Sequence, residues 1–233
     1  MANTALGSKD ATDLSALSNT QIAVQTIKRL IVENELAAGS NHLESELATM
    51  LGMSRTPVRE ATLILEAQGL LEVRRRHGVK IMSLSIDDMS EVYQILTSLE
   101  SLSAQLAAEK TFHDSEFEAA EEAIRQMDDA LEKDDLETWA LADEAFHNEL
   151  VRLGGNRRLA SVVMMYNDQV RRVRNLTLHL RPKPKQSNDD HRKVLAAIRN
   201  QNPELARSIH EQHRNQSGAM LVELLKKYNL NNV

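Results

Sequence analysis

Ser54-Arg55-Thr56-Pro57-Val58-Arg59-Glu60 is the stretch on which the reading of this 233-residue chain turns. A helix-forming segment from Leu43 to Leu51 precedes it, Gly52-Met53 supplies a tight turn, and an amphipathic segment comes after it with Val58, Ala61, Leu65 and Ala67 assigned to one side. The pattern predicts helix, turn, helix. Ser54 stands where an N-cap belongs, its hydroxyl expected to satisfy a free N–H of the first turn. Pro57 falls at the third helical position, where no intrahelical bond is lost. Arg55, Thr56 and Arg59 then project from the first turn of the second helix, the positions that reach base edges and phosphates in a helix-turn-helix. Arginine's forked donor fits guanine O6 and N7 or a phosphate.

A helix-turn-helix pattern alone is also a common packing corner. The adjoining segment narrows the reading. Gly69-Leu70-Leu71-Glu72-Val73 runs into Arg74-Arg75-Arg76-His77-Gly78 and then Val79-Lys80-Ile81-Met82. This predicts two short strands around a glycine turn, with Arg76 and His77 at a cationic tip and Gly78 free to take positive φ. A helix-turn-helix joined directly to a basic hairpin is a winged helix, and it points to double-stranded DNA.

Ser-Arg-Thr-Pro-Val-Arg-Glu-Ala at 54–61, with Leu65-Glu66, Gly69-Leu70 and the wing residues His77-Gly78, resembles the GntR family of bacterial transcription regulators. The resemblance spans about residues 20–82. It implies that Arg55, Thr56 and Arg59 enter the major groove and that His77 at the wing tip reaches the minor groove; Ser54, Arg76 and Gly78 complete the expected DNA-binding set. Ser45 departs from the pattern, since many relatives carry an arginine there.

Composition sets the outer limits. The chain is long enough for two modest domains. Hydrophobic residues are 42% and aromatics 3%, so any core is aliphatic, and the lack of cysteine excludes disulfides and thiolate metal sites. No leader-like or membrane-spanning run is evident, and the chain reads as cytoplasmic. The net charge of −6 is unlike that of a nucleic-acid binder. From Ser54 to Lys80, however, six Arg/Lys face three Asp/Glu, a locally basic surface able to release counterions from DNA. So few cations per domain favour a homodimer on a pseudo-palindromic site.

Between Val79 and Leu153 there is neither Gly nor Pro, and the stretch is helical by propensity. Cap signals divide the C-terminal part of the chain into helices. Ser85 with Asp88 opens a helix to about Lys110; Asp114 or Ser115 opens one ending near Leu131; Asp134 with Glu137 opens a third ending at Gly154-Gly155. Asn156 begins a fourth to about Leu180, Ser187 with Asp190 a fifth, and Asn202-Pro203 a sixth to Tyr228. The expected architecture is mainly α. Residues 1–17 form a disordered tail, 18–83 a winged helix-turn-helix, and 84–230 an antiparallel bundle of about six helices that also dimerises.

Asp143 and His147 are four apart and share a helix face, while His191 and His213 fall on two other helices. Three imidazoles and a carboxylate from three helices could converge on Zn²⁺ or a similar ion. On spacing alone, satisfied core or surface histidines are the simpler account, because His42, His113, His179 and His210 show that histidine is ordinary here.

Asp143-x-x-Phe146-His147, Gly155-Asn156-x-x-Leu159, His191-Arg192-x-x-Leu195-x-x-Ile198, and Ala206 with His213 seven residues on resemble the FCD effector domain, over about residues 85–228. That domain marks the GntR branch named after a fatty-acid-responsive member. The resemblance implies a divalent metal, often zinc or nickel, held by Asp143, His147, His191 and His213, with a small carboxylate effector completing its shell. Relatives often carry an arginine four residues before the glutamate matching Glu100; Leu96 stands there instead. Arg171, Arg172 or Arg174 could supply the missing cation, and Arg171 and Arg174 are the expected effector residues. The leading expectation is a metabolite-responsive DNA-binding regulator rather than an enzyme. The alternatives are a metal-dependent hydrolase, for which no nucleophile–base set or phosphate loop is apparent, and a DNA-binding protein with a purely structural metal.

Overall fold

The computed structural model describes residues 17–231, and the expected tail up to residue 16 lies outside them. The chain divides into two compact units, one ending at Met82 and the other beginning at Ser83.

In the first unit, α1 (Asn19–Val32) opens on a capping box: the Ser18 hydroxyl accepts from the Gln21 N–H while the Gln21 side chain accepts from the Ser18 N–H. Strand β1 (Asn41–His42) comes next, then α2 (Glu44–Leu51), which ends at Gly52 in the left-handed region (φ 64°). Helix α3 (Arg55–Ala67) starts at Ser54, which has N-cap backbone angles but makes no side-chain cap bond. The expected hydroxyl bond fails for a local reason. An N-cap side chain bonds the N–H of the second or third helical residue, and the third is Pro57, which has no N–H. Val58, Ala61, Thr62 and Leu65 form the buried face; Ala67 is exposed, correcting its assignment to that face.

The wing is β2 (Leu71–Arg74) paired antiparallel to β3 (Gly78–Ile81), with Val73 opposite Val79 and Arg74 opposite Gly78. The Glu66 carboxylate accepts the Val73 N–H at 2.7 Å and ties the wing to α3. The structure adds a strand that the sequence reading lacked: β1 pairs with β3, giving the order β1-β3-β2. Gly78 is required twice over. Its φ is +77°, and a Cβ would lie 2.1 Å from the His42 carbonyl oxygen. Ile27, Leu47, Val58, Leu65, Leu71, Val79 and Ile81 fill the core of this unit.

Among its described residues the second unit is built on six α-helices: α4 (Ile86–Ala108), α5 (Glu118–Glu132), α6 (Leu136–Gly154), α7 (Arg157–Leu176), α8 (Lys185–Arg199) and α9 (Pro203–Lys227). Ser85 and Asp88 cap α4 reciprocally, as expected. Four boundaries differ from the sequence reading. Asp114 and Ser115 lie in a 3₁₀ turn (Asp114–Phe117), and α5 begins only at Glu118. The α6 cap is Asp135 rather than Asp134, accepting the Thr138 N–H at 2.9 Å. Helix α7 stops at Leu176 and a separate 3₁₀ turn covers Leu178–Leu180. Helix α8 begins at Lys185 behind Pro184, so Ser187 is not its cap. Pro184 lacks the N–H that would continue a helix upstream, and the Asp190 carboxylate instead receives Gln186 and Lys193.

Two hydrophobic clusters stabilise the bundle, largely aliphatic but with Phe117, Trp139 and Phe146 in one and Tyr93 in the other. One joins the end of α4 to α5, α6 and α8 around Phe146, Leu150, Met127 and Ile198; the other joins the start of α4 to α7 and α9 around Met89, Leu96, Val170 and Leu221. Each such fully buried side chain contributes about 1.5–3 kcal/mol. Helices α4 and α9 approach closely at Gly218, where a Cβ would fall 2.8 Å from the Tyr93 ring. The absence of a side chain there leaves room for that ring on the wall of a cavity.

Candidate functional sites

In the first unit Ser54, Arg55, Thr56 and Arg59 are exposed at the start of α3, because the buried face of the helix lies opposite them. A groove of about 420 Å³ separates α3 from the wing, lined by Arg55, Arg59, Arg74, Arg75, Arg76 and Gly78. Ser45 also lines it. Arg76 adopts φ 68° in the wing turn, and the His77 N–H donates to the Arg74 carbonyl at 2.9 Å, so Arg76 and His77 stand exposed at the tip. A groove rich in guanidinium donors, beside a helix N-terminus that itself favours anions, suits a phosphate backbone.

In the second unit Asp143 and His147 come from α6, His191 from α8 and His213 from α9. Their convergence is set by packing on either side. Trp139, one turn ahead of Asp143, donates to Asn188 at 2.9 Å, and Asn188 donates to Asp128 at 2.8 Å, linking α6, α8 and α5. Phe146 stacks on His191 with ring centres 4.0 Å apart. The nitrogens of His147, His191 and His213 lie within 4.8 Å of one another. Asp143 Oδ1 stands 3.6 Å from His191 Nε2 and 3.8 Å from His147 Nε2. Ligand atoms around a tetrahedral zinc lie about 3.3 Å apart, so small side-chain shifts would bring these four to bonding distance.

The donor chemistry fits a cation. His191 is fully buried, and neither ring nitrogen has a hydrogen-bond partner, a costly state unless something else engages them. Burial, reinforced by the neighbouring imidazoles, pushes His191 and His213 well below the ordinary histidine range, so both are neutral at pH 7 with lone pairs free to bind.

Behind this cluster lies a network that the sequence reading missed. Glu100 on α4 is fully buried; its Oε2 is 2.9 Å from His147 Nδ1 and 3.2 Å from His210 Nε2, and its Oε1 is 3.3 Å from Arg214 Nη2. Burial alone would raise its pKa; Arg214, His147 and His210 outweigh that and hold the carboxyl well below its usual range. Burial drives His210 down to about 4 despite its bond to Glu100. His210 precedes His213 by one turn of the same helix, and that i, i+3 spacing was the available signal. Arg214, adjoining His213, had none.

A cavity of about 200 Å³ opens on Asp143, His147 and His213, walled by Tyr93, Arg174 and Arg214 among others. Of the two arginines expected to meet an effector, Arg174 lines it. Arg171 does not, and is ion-paired with Glu144 at 3.2 Å. Arg181, which the sequence analysis does not single out, also lines the cavity. Leu96 is buried in the aliphatic core, while Arg214 provides the cation beside Glu100.

Comparison with known proteins agrees with this anatomy. Residues 19–81 match the family described as bacterial regulatory proteins, gntR family, and residues 91–216 match the FCD domain. The chain is similar to the HTH-type transcriptional regulator YdhC of Bacillus subtilis (strain 168), 27% identical over 86% of this chain and 90% of that protein. It is also similar to the "Probable D-xylose utilization operon transcriptional repressor" of Paenarthrobacter nicotinovorans, 31% identical over 84% of this chain and 87% of that one. Among solved structures, E. coli McbR/YncC shares the fold with a TM-score of 0.75 at 21% identity, covering 89% of this chain and 99% of that one. Among the described residues no helix is long and apolar enough to cross a membrane. With a winged helix-turn-helix joined to an FCD bundle, the chain belongs to the GntR family and is a DNA-binding transcription regulator with an FCD effector domain.

Proposed function

We propose that the protein is a homodimeric, metabolite-responsive regulator whose helical unit holds one divalent cation through Asp143, His147, His191 and His213. A small carboxylate effector binds in the adjoining cavity. The observation that carries this reading is His191: a fully buried imidazole without a hydrogen-bond partner on either nitrogen, one of them 3.6 Å from a carboxylate oxygen. A cation between these groups would engage Nε2 of His191 and the Asp143 carboxylate, and its charge would favour an anion in the cavity. Zinc and nickel both suit such a donor set. Arg55, Thr56 and Arg59 read the operator, with Ser54 at the helix start, while Arg76, His77 and Gly78 shape the wing contact.

An effector changes DNA affinity only if it binds two arrangements of the dimer unequally. The chain runs from β3 into α4 through residues 82–85, and α4 carries Glu100, which touches His147. That is the covalent path by which cavity events can bias the recognition helices. The experiment is metal content by elemental analysis, with DNA titrations with and without effector, on wild type and on His147→Ala, His213→Ala. We expect stoichiometric metal in the wild type, loss of metal and of effector response in the variants, and retained basal DNA binding. Metal retained in the double variant would overturn the site.

A further inference from the structure

The cavity wall carries an excess of positive charge and open guanidinium donors even before a cation is bound. Arg174 and Arg214 flank one ring, with Cζ atoms 5.6 Å and 5.0 Å from the Tyr93 centroid. Arg174 uses Nε on the Tyr93 hydroxyl at 3.0 Å, and its buried Nη2 makes no hydrogen bond. Arg214 is 2% exposed; its Nε has no hydrogen-bond partner, and its Nη2 approaches Glu100 without hydrogen-bond alignment. Buried charged donors left open in this way are costly and are normally answered by an anion.

The other cations on the wall are engaged. Arg181 Nη2 donates to the Thr177 hydroxyl at 2.8 Å and to the Arg174 carbonyl, and Lys183 pairs with Asp134 at 2.7 Å. Asp190 is paired with Lys193 at 3.0 Å. The guanidinium groups of Arg174, Arg181 and Arg214 therefore exceed the carboxylates of Glu100 and Asp143 by one charge, before any cation is bound at the histidines. One Glu100 carboxylate touches both Arg214 and His147, so the open donors stand a short distance from the histidine cluster. A volume of about 200 Å³ likewise limits the ligand to a small molecule.

We infer that the pocket takes a short-chain organic acid with two ionised carboxylates, one received at the Asp143, His147, His191 and His213 cluster and the other by Arg174 and Arg214 beside Tyr93. This rests on the reading of the cavity given under Proposed function and narrows its ligand class. Tyr93 and Arg174 are then the specificity determinants, holding the donors for the second carboxylate in place of the arginine that Leu96 displaces.

The test is calorimetric titration of full-length protein, with metal content measured on every sample. Three matched pairs are used: malate with 2-hydroxybutyrate, succinate with butyrate, and 2-oxoglutarate with 2-oxopentanoate. In each pair the second carboxylate is absent from the monoacid. At least one diacid should bind about 10–100-fold more tightly than its partner, the worth of a charge-assisted pair. Arg174→Gln should abolish that preference with metal content unchanged. If Arg174→Gln fails to fold, Tyr93→Phe, which removes only the hydroxyl that holds Arg174, should reduce the preference instead. Metal-loaded protein that binds no diacid, or binds monoacids as tightly, overturns the inference and leaves the metal site standing. Diacid preference in protein that holds no metal overturns the metal reading and leaves this inference standing.

Discussion

Removing the Glu100 carboxylate should destabilise the helical unit more than any other single change in the site. Glu100 is fully buried and Arg214 is 2% exposed, so Glu100→Ala strands a guanidinium with no countercharge in a region closed to water. At the observed separation of 3.3 Å, an effective dielectric of about 20 gives an attraction of about 5 kcal/mol. Breaking a buried pair by removing one partner costs about 3–5 kcal/mol. His147 and His210 lose their acceptor as well. Trp139, the chain's one tryptophan, sits on α6 and reports on this unit by fluorescence. With a urea m-value of about 2 kcal/mol/M, the midpoint of metal-free protein should fall by about 1.5–2.5 M. A Glu100→Leu, Arg214→Met double variant removes both charges and should recover most of the loss, since a hydrophobic replacement of a whole buried pair is often neutral. A Glu100→Ala variant within about 1 kcal/mol of wild type, or a double variant no more stable than the single, would refute the claim that this pair holds α4 to α9.

Other expectations are independent of that pair. Arg59→Ala should weaken operator binding by about 1–3 kcal/mol per half-site if the arginine reads a base; a uniform loss on all sequences with a shallower salt slope would assign it to phosphate instead, and titrations on operator and random duplexes separate the two. Gly78→Ala places a Cβ against the His42 carbonyl at positive φ and should cost the DNA-binding unit about 2–4 kcal/mol, with reduced DNA affinity and an unchanged Trp139 transition in urea. Metal-free protein should lose stability as pH falls from 6.5 towards 4. His210 is held down to about 4 when folded against an ordinary value near 6.5, so the unfolded chain takes up its proton first; the contribution is complete above about pH 6.5 and amounts to about 3 kcal/mol, measurable as urea midpoints across that range.

Much of the fold was legible because it is written in local spacing. The Ser85–Asp88 box and the Asn156 and Asn202 caps each depend on residues within four positions of one another, and the turns at Gly52 and Gly78 ask for a positive φ that glycine adopts freely. Where local rules competed, sequence reading erred by a residue or a bond. Ser54 took the N-cap conformation without the cap bond because Pro57 has no N–H to offer, and Pro184 started α8 ahead of the Ser187 signal. Strand β1 is only two residues long, too short for any periodicity, and exists because β3 offers it a partner.

The sequence by itself determined the family and the two-part architecture, and it singled out Asp143, His147, His191 and His213 as candidates, since motif and helix face are one-dimensional properties. Only the tertiary structure decided what surrounds those residues. Glu100 and His210 are separated by 110 positions, and Tyr93 and Arg174 by 81; no helical repeat relates them. Arg171 and Arg174 share one helix and three residues of sequence, yet one pairs with Glu144 and the other lines the cavity. The packing of α7 against α4 makes that choice, because contact between distant side chains is fixed by how helices dock and not by the order of residues along either one.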